Sequence, residues 1–383
     1  MAETVCIDSA FGEIRTAVVD GGTLIELHYY RIDDRVQDGD VFLARVTRTA
    51  PGVDGVFLDL GGGIDGFLPR RGKAPDPGEG SLIPIQVREG PRAGKAARVS
   101  RLANAPDPSG TRPGLIHRNP LGWLDPVRHR EPDAILIADT DLFNAARAWA
   151  ARENTPLAGL IGLDRDDALF ERMGIEAGIA DLFAPRLTLP SGGAITIEHA
   201  TASVVIDVDT ATASGGDSEA VAARVNREAA REIARQLRLR RVGGLVFVDF
   251  VSMRRHRSRR DVLATLDAAL ASDPVRTERS GLSSFGVVEL MRERRGTPLM
   301  DRIAARTPGP EPSPETRGYA ALRALIAQAR RAPGEGLVID CDADTARWLG
   351  PRIDDAGAQL HALVTLGKTL NSPGWSVYSR PRK

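Results

Sequence analysis

Ser203-Val-Val-Ile-Asp-Val-Asp209 and Gly243-Gly-Leu-Val-Phe-Val-Asp-Phe250 decide the fold of this chain, because both segments indicate strands that carry late aspartates. In the first segment, Asp207 and Asp209 alternate with apolar residues and therefore share one face. The second segment is an apolar run that predicts a strand buried on both faces, interrupted only by Asp249. A carboxylate is costly to bury unpaired, so we expect a cation or a set of donors opposite it.

The residues between these strands predict a glycine loop followed by a long helix. Ser214-Gly-Gly-Asp217 indicates a turn with an N-cap, and residues 218–241 carry apolar side chains at helical spacing. A strand, a crossover helix and a second strand form a βαβ unit with parallel strands. Asp207 and Asp249 are then expected at the carboxyl edge, where open α/β sheets hold their sites. Mg²⁺ takes one or two carboxylates and keeps several waters, so the pattern predicts a metal site for phosphate chemistry. Helix caps or salt-bridge partners are the alternative interpretation.

The composition is that of a globular protein with several domains. The chain has 383 residues, of which 42% are hydrophobic and 27% charged. No apolar run reaches the roughly 20 residues that span a bilayer, and Met1–Asp20 lacks signal-peptide features, so we expect a cytoplasmic protein. Cys6 and Cys341 are the only cysteines, which argues against a disulfide scaffold. Lys plus Arg and Asp plus Glu both number 51, which excludes a globally basic RNA-coating protein.

Short strands at even spacing follow Asp40 and predict a small five-stranded barrel of the OB type. The predicted strands are Val41–Arg48, Gly55–Leu60, Ile64–Pro69, Leu82–Arg88 and Ala96–Leu102. Barrels of this kind bind single-stranded nucleic acid by stacking bases on exposed aromatic rings. Phe57 and Phe67 are the aromatic candidates, with core packing as the alternative for each.

A basic run, Arg254-Arg-His-Arg-Ser-Arg-Arg260, directly follows the second aspartate strand. Arginines beside a predicted phosphate site indicate contacts with a nucleic-acid backbone, because phosphate contacts dominate affinity. A solvated loop is the alternative for any single arginine.

The remaining sequence predicts further elements around these regions. Thr4–Tyr30 indicates a β-hairpin, and Thr307–Pro314 holds four prolines and predicts a stiff linker. The other predicted elements are a strand at Ala134–Ala138, helices at Asp141–Glu153 and Leu169–Leu182, a hairpin at Arg186–Ile197, a helix at Arg259–Ala271, a strand at Gly286–Leu290, and then a helix, a strand and a helix at Tyr319–Arg331, Leu337–Cys341 and Ala343–Ala356. Asp340, Asp342 and Asp344 in this last region are expected to be caps rather than metal ligands.

Four segments resemble the ribonuclease E/G family of bacterial endoribonucleases. They are Leu189-Pro-Ser-Gly-Gly193, Val205-Ile-Asp-Val-Asp209, Asn226-Arg-Glu-Ala-Ala230 with Glu232–Arg240, and Gly243–Phe250. The resemblance implies that Asp207 and Asp249 hold Mg²⁺, with Mn²⁺ as a substitute. It also implies that the ion activates water to cleave single-stranded RNA and leave a 5′ phosphate.

The expected site contains further residues. Asp209 is predicted as a catalytic residue that orients the ion through water or acts as a further ligand. Phe57, Phe67 and Lys95 match family residues at the RNA surface. Arg292 and the basic run, including Arg254 and Arg255, are expected to hold phosphates.

The resemblance also implies an α/β multidomain architecture. A discontinuous RNase H-like domain, residues 1–39 and 112–200, would carry an inserted S1 barrel of the OB type at residues 40–104. A DNase I-like α/β catalytic domain would span residues 201–306. A linker at 307–318 would precede a small C-terminal α/β domain at 319–383.

The chain departs from the family pattern in several places. Asp209 stands where the family usually has asparagine, and Val251-Ser-Met253 stands where it usually has Ile-Asp-Met. The Cys-x-x-Cys pair of the family's zinc link is absent, so we expect no zinc and leave open a homo-oligomer without such a link. Residues 101–112 show no equivalent of the family's 5′ monophosphate sensor.

These observations favour a magnesium-dependent endoribonuclease that acts on single-stranded RNA. A non-catalytic RNA-binding paralogue is the main alternative, and RNA binding without cleavage under any metal would support it. A phosphatase or nucleotide hydrolase is a third hypothesis, which leaves the barrel unexplained.

Overall fold

The computed structural model describes residues 3–50, 52, 54–70, 77–91, 95–102, 110–128, 130–166, 168–200, 202–305 and 311–381. The strands in these residues are β1 Glu3–Ala10, β2 Glu13–Asp20, β3 Thr23–Arg31, β4 Val41–Ala50, β5 Gly55–Asp59, β6 Asp65–Pro69, β7 Leu82–Glu89, β8 Ala97–Arg101, β9 Gly114–His117, β10 Ala134–Ile137, β11 Ile161–Leu163, β12 Arg186–Thr188, β13 Ala194–His199, β14 Ser203–Asp209, β15 Gly244–Asp249, β16 Thr277–Arg279, β17 Val287–Arg292, β18 Gly336–Asp342, β19 Val364–Leu370 and β20 Trp375–Arg380.

The helices in the same residues are α1 Thr140–Glu153, α2 Thr155–Ala158, α3 Leu169–Arg172, α4 Ile175–Phe183, α5 Ser218–Leu239, α6 His256–Leu270, α7 Leu299–Ile303, α8 Pro314–Arg331, α9 Ala343–Leu349 and α10 Ile353–Leu360. The predicted helix at Leu169–Leu182 is two helices, because Gly174 adopts φ 68° between α3 and α4. Of the helices described here, none combines the length and apolar character needed to cross a membrane.

The chain divides into two compact units, and the first comprises Met1–Ile32, Pro126–Pro185 and Arg302–Lys383. One sheet of this unit has the strand order β11-β10-β1-β2-β3. Strand β1 pairs antiparallel with β2 and parallel with β10. The N-terminal strands therefore share a sheet with the strand near residue 134, which is consistent with the discontinuous domain that the resemblance implies.

The C-terminal part of the same unit contains a three-stranded sheet with β18 at its centre. Helix α8 supplies Tyr319 and Leu325 to a core with Leu337 and Ile339. Asp342 at the end of β18 is the N-cap of α9, accepts the backbone N–H of Thr345 and pairs with Arg317. The cap interpretation is thus confirmed for Asp342.

Asp342→Asn is expected to lower the free energy of unfolding at pH 7 by about 3 kcal/mol, because it leaves the buried Arg317 cation unpaired. Burial raises the pKa of Asp342, but hydrogen bonds from Thr345 and Arg317 outweigh burial and hold the pKa well below its usual value. A lowered folded-state pKa stabilises the protein above the unfolded pKa of about 4, and this contribution is lost as pH falls through the folded pKa. Urea unfolding should therefore show a difference between wild type and variant that shrinks below pH 4.

The matched control is Asp344→Asn, because Asp344 is exposed and, among the described residues, its ion pair is with Arg347 of the same helix. Such surface pairs contribute little, so this variant should unfold within about 0.5 kcal/mol of wild type. A pH-independent loss in Asp342→Asn would contradict the electrostatic origin of the effect.

The second unit comprises Asp33–Asp125 and Arg186–Asp301 and contains a barrel. Five strands close in the order β4-β5-β6-β8-β7-β4, with β6 and β8 parallel. The alternating inward residues, including Val56, Leu58 and Val99, form its core. The predicted five-stranded barrel is confirmed, and each strand lies within two residues of its predicted bounds.

The same unit contains a six-stranded sheet in the order β12-β13-β14-β15-β17-β16. Strands β14 and β15 are parallel neighbours joined by α5, which confirms the predicted βαβ unit. Val204, Ile206 and Val208 of β14 are buried on one face, whereas Asp207 on the other face is exposed. The prediction that the second strand is buried on both faces is wrong. In β15 only the face of Val246 and Val248 is buried, and Asp249 is exposed because the opposite sheet face is open.

Three predicted boundaries also change. Gly114–His117 pairs with β4 of the barrel, although the sequence assigned it to the discontinuous domain. Residues 186–199 belong to the six-stranded sheet, because β13 pairs along its whole length with β14. Residues 314–318, assigned to the linker, are the first turns of α8. Residues 307–310 of that linker, and residues 103–109 of the segment in which no sensor equivalent was found, lie outside the described residues.

Candidate functional site

The structure brings Asp207 and Asp249 together. They are Cα partners in the parallel ladder between β14 and β15, and both side chains are exposed. Neighbouring strands lie about 4.8 Å apart, and partners in register point to the same side of a sheet. The two carboxylates therefore lie side by side at the carboxyl edge, although 41 residues of chain separate Asp207 from Asp249 in the sequence.

The charges of this pair act on each other. Partial removal from water is the largest cause that raises the pKa of Asp207, and the negative charges of Asp249 and Asp209 raise this pKa further. A divalent cation between the two carboxylates would relieve this repulsion, and two carboxylates with water in the other positions suit Mg²⁺. Within the described residues, no group of three or more His, Cys, Asp or Glu side chains is arranged to hold a metal. The paired carboxylates of Asp207 and Asp249 would fit a hard cation that takes its other ligands from water.

Asp209 has different neighbours from the other two aspartates. One carboxylate oxygen accepts the backbone N–H of Ala211 at 3.0 Å, and the other accepts the guanidinium of Arg186 at 2.7 Å. These hydrogen bonds hold the pKa of Asp209 below its usual value. Sequence reasoning did not identify Arg186, because the pairing register of its edge strand β12 cannot be read from the local pattern.

Asn226 fixes the backbone that follows Asp249. Its side chain is fully buried on α5, donates to the carbonyl of Val251 at 2.8 Å and accepts the N–H of Val251 at 3.0 Å. These two bonds attach the end of β15 to the crossover helix. The sequence marks Asn226 only as part of a family segment, although a polar residue between buried helix positions was a usable signal.

The basic run lies after β15, where α6 begins. The backbone N–H groups of Arg254 and Arg255 donate to the carboxylate of Glu219 in the first turn of α5. Both arginine side chains are exposed, and that of Arg255 lies 3.5 Å from Asp217. Positive charge is therefore present at the N-terminal end of α5, where phosphate contacts are predicted.

Arg292 does not have the environment expected of a phosphate ligand. It is 3% exposed and forms an ion pair with Asp273 at 2.8 Å. Its guanidinium also donates to the carbonyl of Val242 at 2.6 Å. Arg292 thus joins β17 to the segments that carry Asp273 and Val242. Because it is buried, we do not assign it to an RNA interface.

The barrel presents a row of aromatic and basic side chains. Arg48 is the Cα partner of Phe57, Phe57 of Phe67, and Phe67 of Arg98. The two rings are 5.3 Å apart between centroids, and the Arg48 guanidinium lies 4.2 Å from the Phe57 ring. Both rings are half-buried and lie outside the barrel core. The core-packing alternative is therefore not supported for either ring.

Two neighbours of this row complete the surface. Gly55 lies beneath the Phe67 ring, where an added Cβ would be 2.7 Å from a ring carbon. Lys95 is exposed just before β8, which carries Arg98. Sequence reasoning found Phe57, Phe67 and Lys95 but missed Arg48 and Arg98, because cross-strand partners depend on register.

Comparison with known proteins finds relatives among bacterial ribonucleases. A family model described as "Ribonuclease E/G family" matches residues 103–295, just over half of the chain. Ribonuclease E of Haemophilus influenzae is 28% identical over an alignment 378 positions long, which covers 74% of this chain and 40% of that protein. Ribonuclease G of Escherichia coli is 24% identical over an alignment 392 positions long, which covers 77% of this chain and 80% of that protein.

The extent of these matches differs between the two relatives. The chain spans 40% of the length of the Haemophilus ribonuclease E, but 80% of the length of the Escherichia ribonuclease G. Both alignments are longer than the segment that the family model matches. The chain belongs to the ribonuclease E/G family.

Proposed function

We propose that the protein is a magnesium-dependent endoribonuclease that cleaves single-stranded RNA and leaves 5′ phosphates. The observation that carries the proposal is the register of β14 and β15, which makes Asp207 and Asp249 neighbours on an open sheet face. The endoribonuclease class is supported by the family match and by relatives named ribonuclease E and ribonuclease G.

The chemistry follows from what these side chains can bind. Asp207 and Asp249 would hold Mg²⁺, which lowers the pKa of bound water and offsets charge that develops on a phosphate. Asn226 bonds to Val251 and so restrains the backbone that directly follows Asp249. Arg254 and Arg255 supply positive charge for the RNA backbone.

The barrel would hold the strand that is to be cut. Rings of half-buried aromatic residues stack with bases of any identity, and arginines beside them attract the backbone. We assign Phe57 and Phe67 to the bases, and Arg48, Arg98 and Lys95 to the phosphates. In the family's terms, the barrel would be an S1 domain, the six-stranded sheet part of a DNase I-like domain, and the sheet of β1, β2, β3, β10 and β11 an RNase H-like domain.

Phe57→Ala and Phe67→Ala should each weaken the binding of a single-stranded RNA by about 5- to 150-fold, because a stacked base contributes about 1–3 kcal/mol. Fluorescence anisotropy in EDTA measures this binding without cleavage. Ile116→Ala is the control, since Ile116 is an exposed apolar residue on β9 at the same barrel. Wild-type affinity in both phenylalanine variants would contradict the stacking role.

A cleavage assay tests the proposed function directly. Wild-type protein is incubated with a single-stranded, A/U-rich RNA and with the same RNA annealed to its complement, in Mg²⁺, Mn²⁺ or EDTA. We expect internal cleavage of the single strand that requires the metal, with product ends that a 5′-phosphate-dependent exonuclease degrades. RNA binding without cleavage in either metal would overturn the proposal and favour a non-catalytic RNA-binding paralogue.

A further inference from the structure

We propose that Arg186 binds a phosphate of the RNA at this site and that Asp209 is a positioning residue that holds Arg186 in place. This inference rests on the proposed function and deepens it. It gives Asp209 a role other than metal ligand, and it adds to the site an arginine from the edge of the sheet.

The position of Arg186 follows from the register of four strands. Arg186 is the Cα partner of Thr196, Thr196 is that of Asp207, and Asp207 is that of Asp249. Residues in register on successive strands point to the same side of a sheet. Arg186 therefore begins a row of side chains that ends at the two carboxylates, on the open face.

The hydrogen bonds of Arg186 orient its guanidinium without burying it. One terminal nitrogen donates to Asp209 at 2.7 Å and the other approaches the Thr196 hydroxyl at 3.5 Å. The side chain remains 46% exposed. A guanidinium has five N–H donors, so this arrangement leaves donor capacity for a phosphate oxygen.

The second oxygen of Asp209 is occupied by a backbone donor. It accepts the N–H of Ala211 at 3.0 Å, which fixes the carboxylate relative to the end of β14. A carboxylate engaged on one oxygen by a backbone N–H and on the other by a guanidinium is well placed to orient the arginine. The same contacts oppose its use as a direct metal ligand.

The positive charge of Arg186 offsets part of the negative charge of the site. Asp207, Asp209 and Asp249 place three carboxylates at one sheet edge, which would repel an approaching phosphate. Arg186 lies in the row that leads to the two carboxylates and donates to Asp209 at 2.7 Å, so its positive charge lies at the same sheet edge. A cation at this position can attract the phosphate while Asp207 and Asp249 remain available to a metal ion.

The first test measures RNA binding in EDTA, so that neither metal binding nor cleavage contributes. Arg186→Ala should weaken the binding of a single-stranded RNA by about 5- to 50-fold and reduce the slope of log affinity against log salt by about one phosphate contact. Arg186→Lys keeps the charge and should keep the wild-type salt slope. Wild-type affinity and slope in Arg186→Ala, or an equal change of slope in the alanine and lysine variants, would overturn the proposal.

The matched control is Arg172→Ala, because Arg172 is 42% exposed and also pairs with aspartates, Asp164 and Asp166, but lies in the other unit. It should leave RNA binding and the salt slope unchanged. Circular dichroism of each variant checks that the fold is intact. Because this test needs no cleavage, its result stands even if the wild-type protein fails the cleavage assay.

The second test separates a positioning role of Asp209 from a metal-ligand role. A positioning role predicts that Asp209→Ala slows cleavage in the wild-type background but adds no further loss to Arg186→Ala. It also predicts an unchanged Mg²⁺ affinity of Asp209→Ala, measured by calorimetry without RNA. Additive losses together with a weakened Mg²⁺ affinity would overturn this role and make Asp209 a ligand.

Discussion

Asp207→Asn and Asp249→Asn are each expected to lower the rate of RNA cleavage by about 10³-fold or more. Each substitution would remove one of the two carboxylates that we propose bind the cation. Stabilisation of a phosphate transition state by a metal ion is worth several kcal/mol, and each 1.4 kcal/mol of lost stabilisation slows the reaction about tenfold. Single-turnover cleavage of a labelled single-stranded RNA at saturating protein measures this loss without interference from product release.

The same variants should retain their fold and their RNA binding in EDTA, because both side chains are exposed. Glu278→Gln is the matched control, since it makes the same acid-to-amide change at an exposed position of strand β16 in the same sheet. It should cleave at the wild-type rate. Equal cleavage by Asp207→Asn and wild type would remove the basis for the proposed active site.

Asn226→Ala is expected to lower the free energy of unfolding by about 2–4 kcal/mol. The change leaves both the N–H and the C=O of Val251 without their side-chain partner, and an unsatisfied buried polar group costs about 1–3 kcal/mol. Cleavage should also slow under conditions where the variant remains folded, because Val251 lies two residues after Asp249. Urea unfolding and single-turnover cleavage measure the two effects separately.

Two further variants sharpen this test. Arg231→Ala changes an exposed residue of the same helix and should unfold within about 0.5 kcal/mol of wild type. Asn226→Asp keeps an acceptor for the Val251 N–H but cannot donate to its carbonyl when ionised, so it should destabilise the protein as well. Wild-type stability and activity in Asn226→Ala would show that the end of β15 is held by other contacts.

Much of the fold could be predicted from local patterns. The five barrel strands and the unit of β14, α5 and β15 follow from alternation, helical spacing and turn residues, which act over short stretches of chain. The approach of Asp207 and Asp249 also followed, because a crossover helix makes its two strands parallel and places their carboxyl ends at one edge. For this reason, the central pair of the site was predictable although its members are distant in sequence.

The environments of the arginines could not be predicted from local sequence patterns. Arg292 matched a pattern expected to hold phosphate, yet it is buried against Asp273, because the loop that carries Asp273 packs beside β17. Arg186 and Arg98 received no role, yet register places one in the row of the aspartates and the other beside Phe67. Which arginine is exposed depends on partners from distant parts of the chain.

The sequence by itself determined the family, the barrel, the βαβ unit and the two aspartates at its edge, because these features depend on short-range periodicity and on the handedness of a single crossover. Only the tertiary structure decided which sheet face is open, which arginines reach it and how Asp209 and Asn226 are bonded. Those features depend on strand register and packing between distant segments, which local residue patterns do not specify.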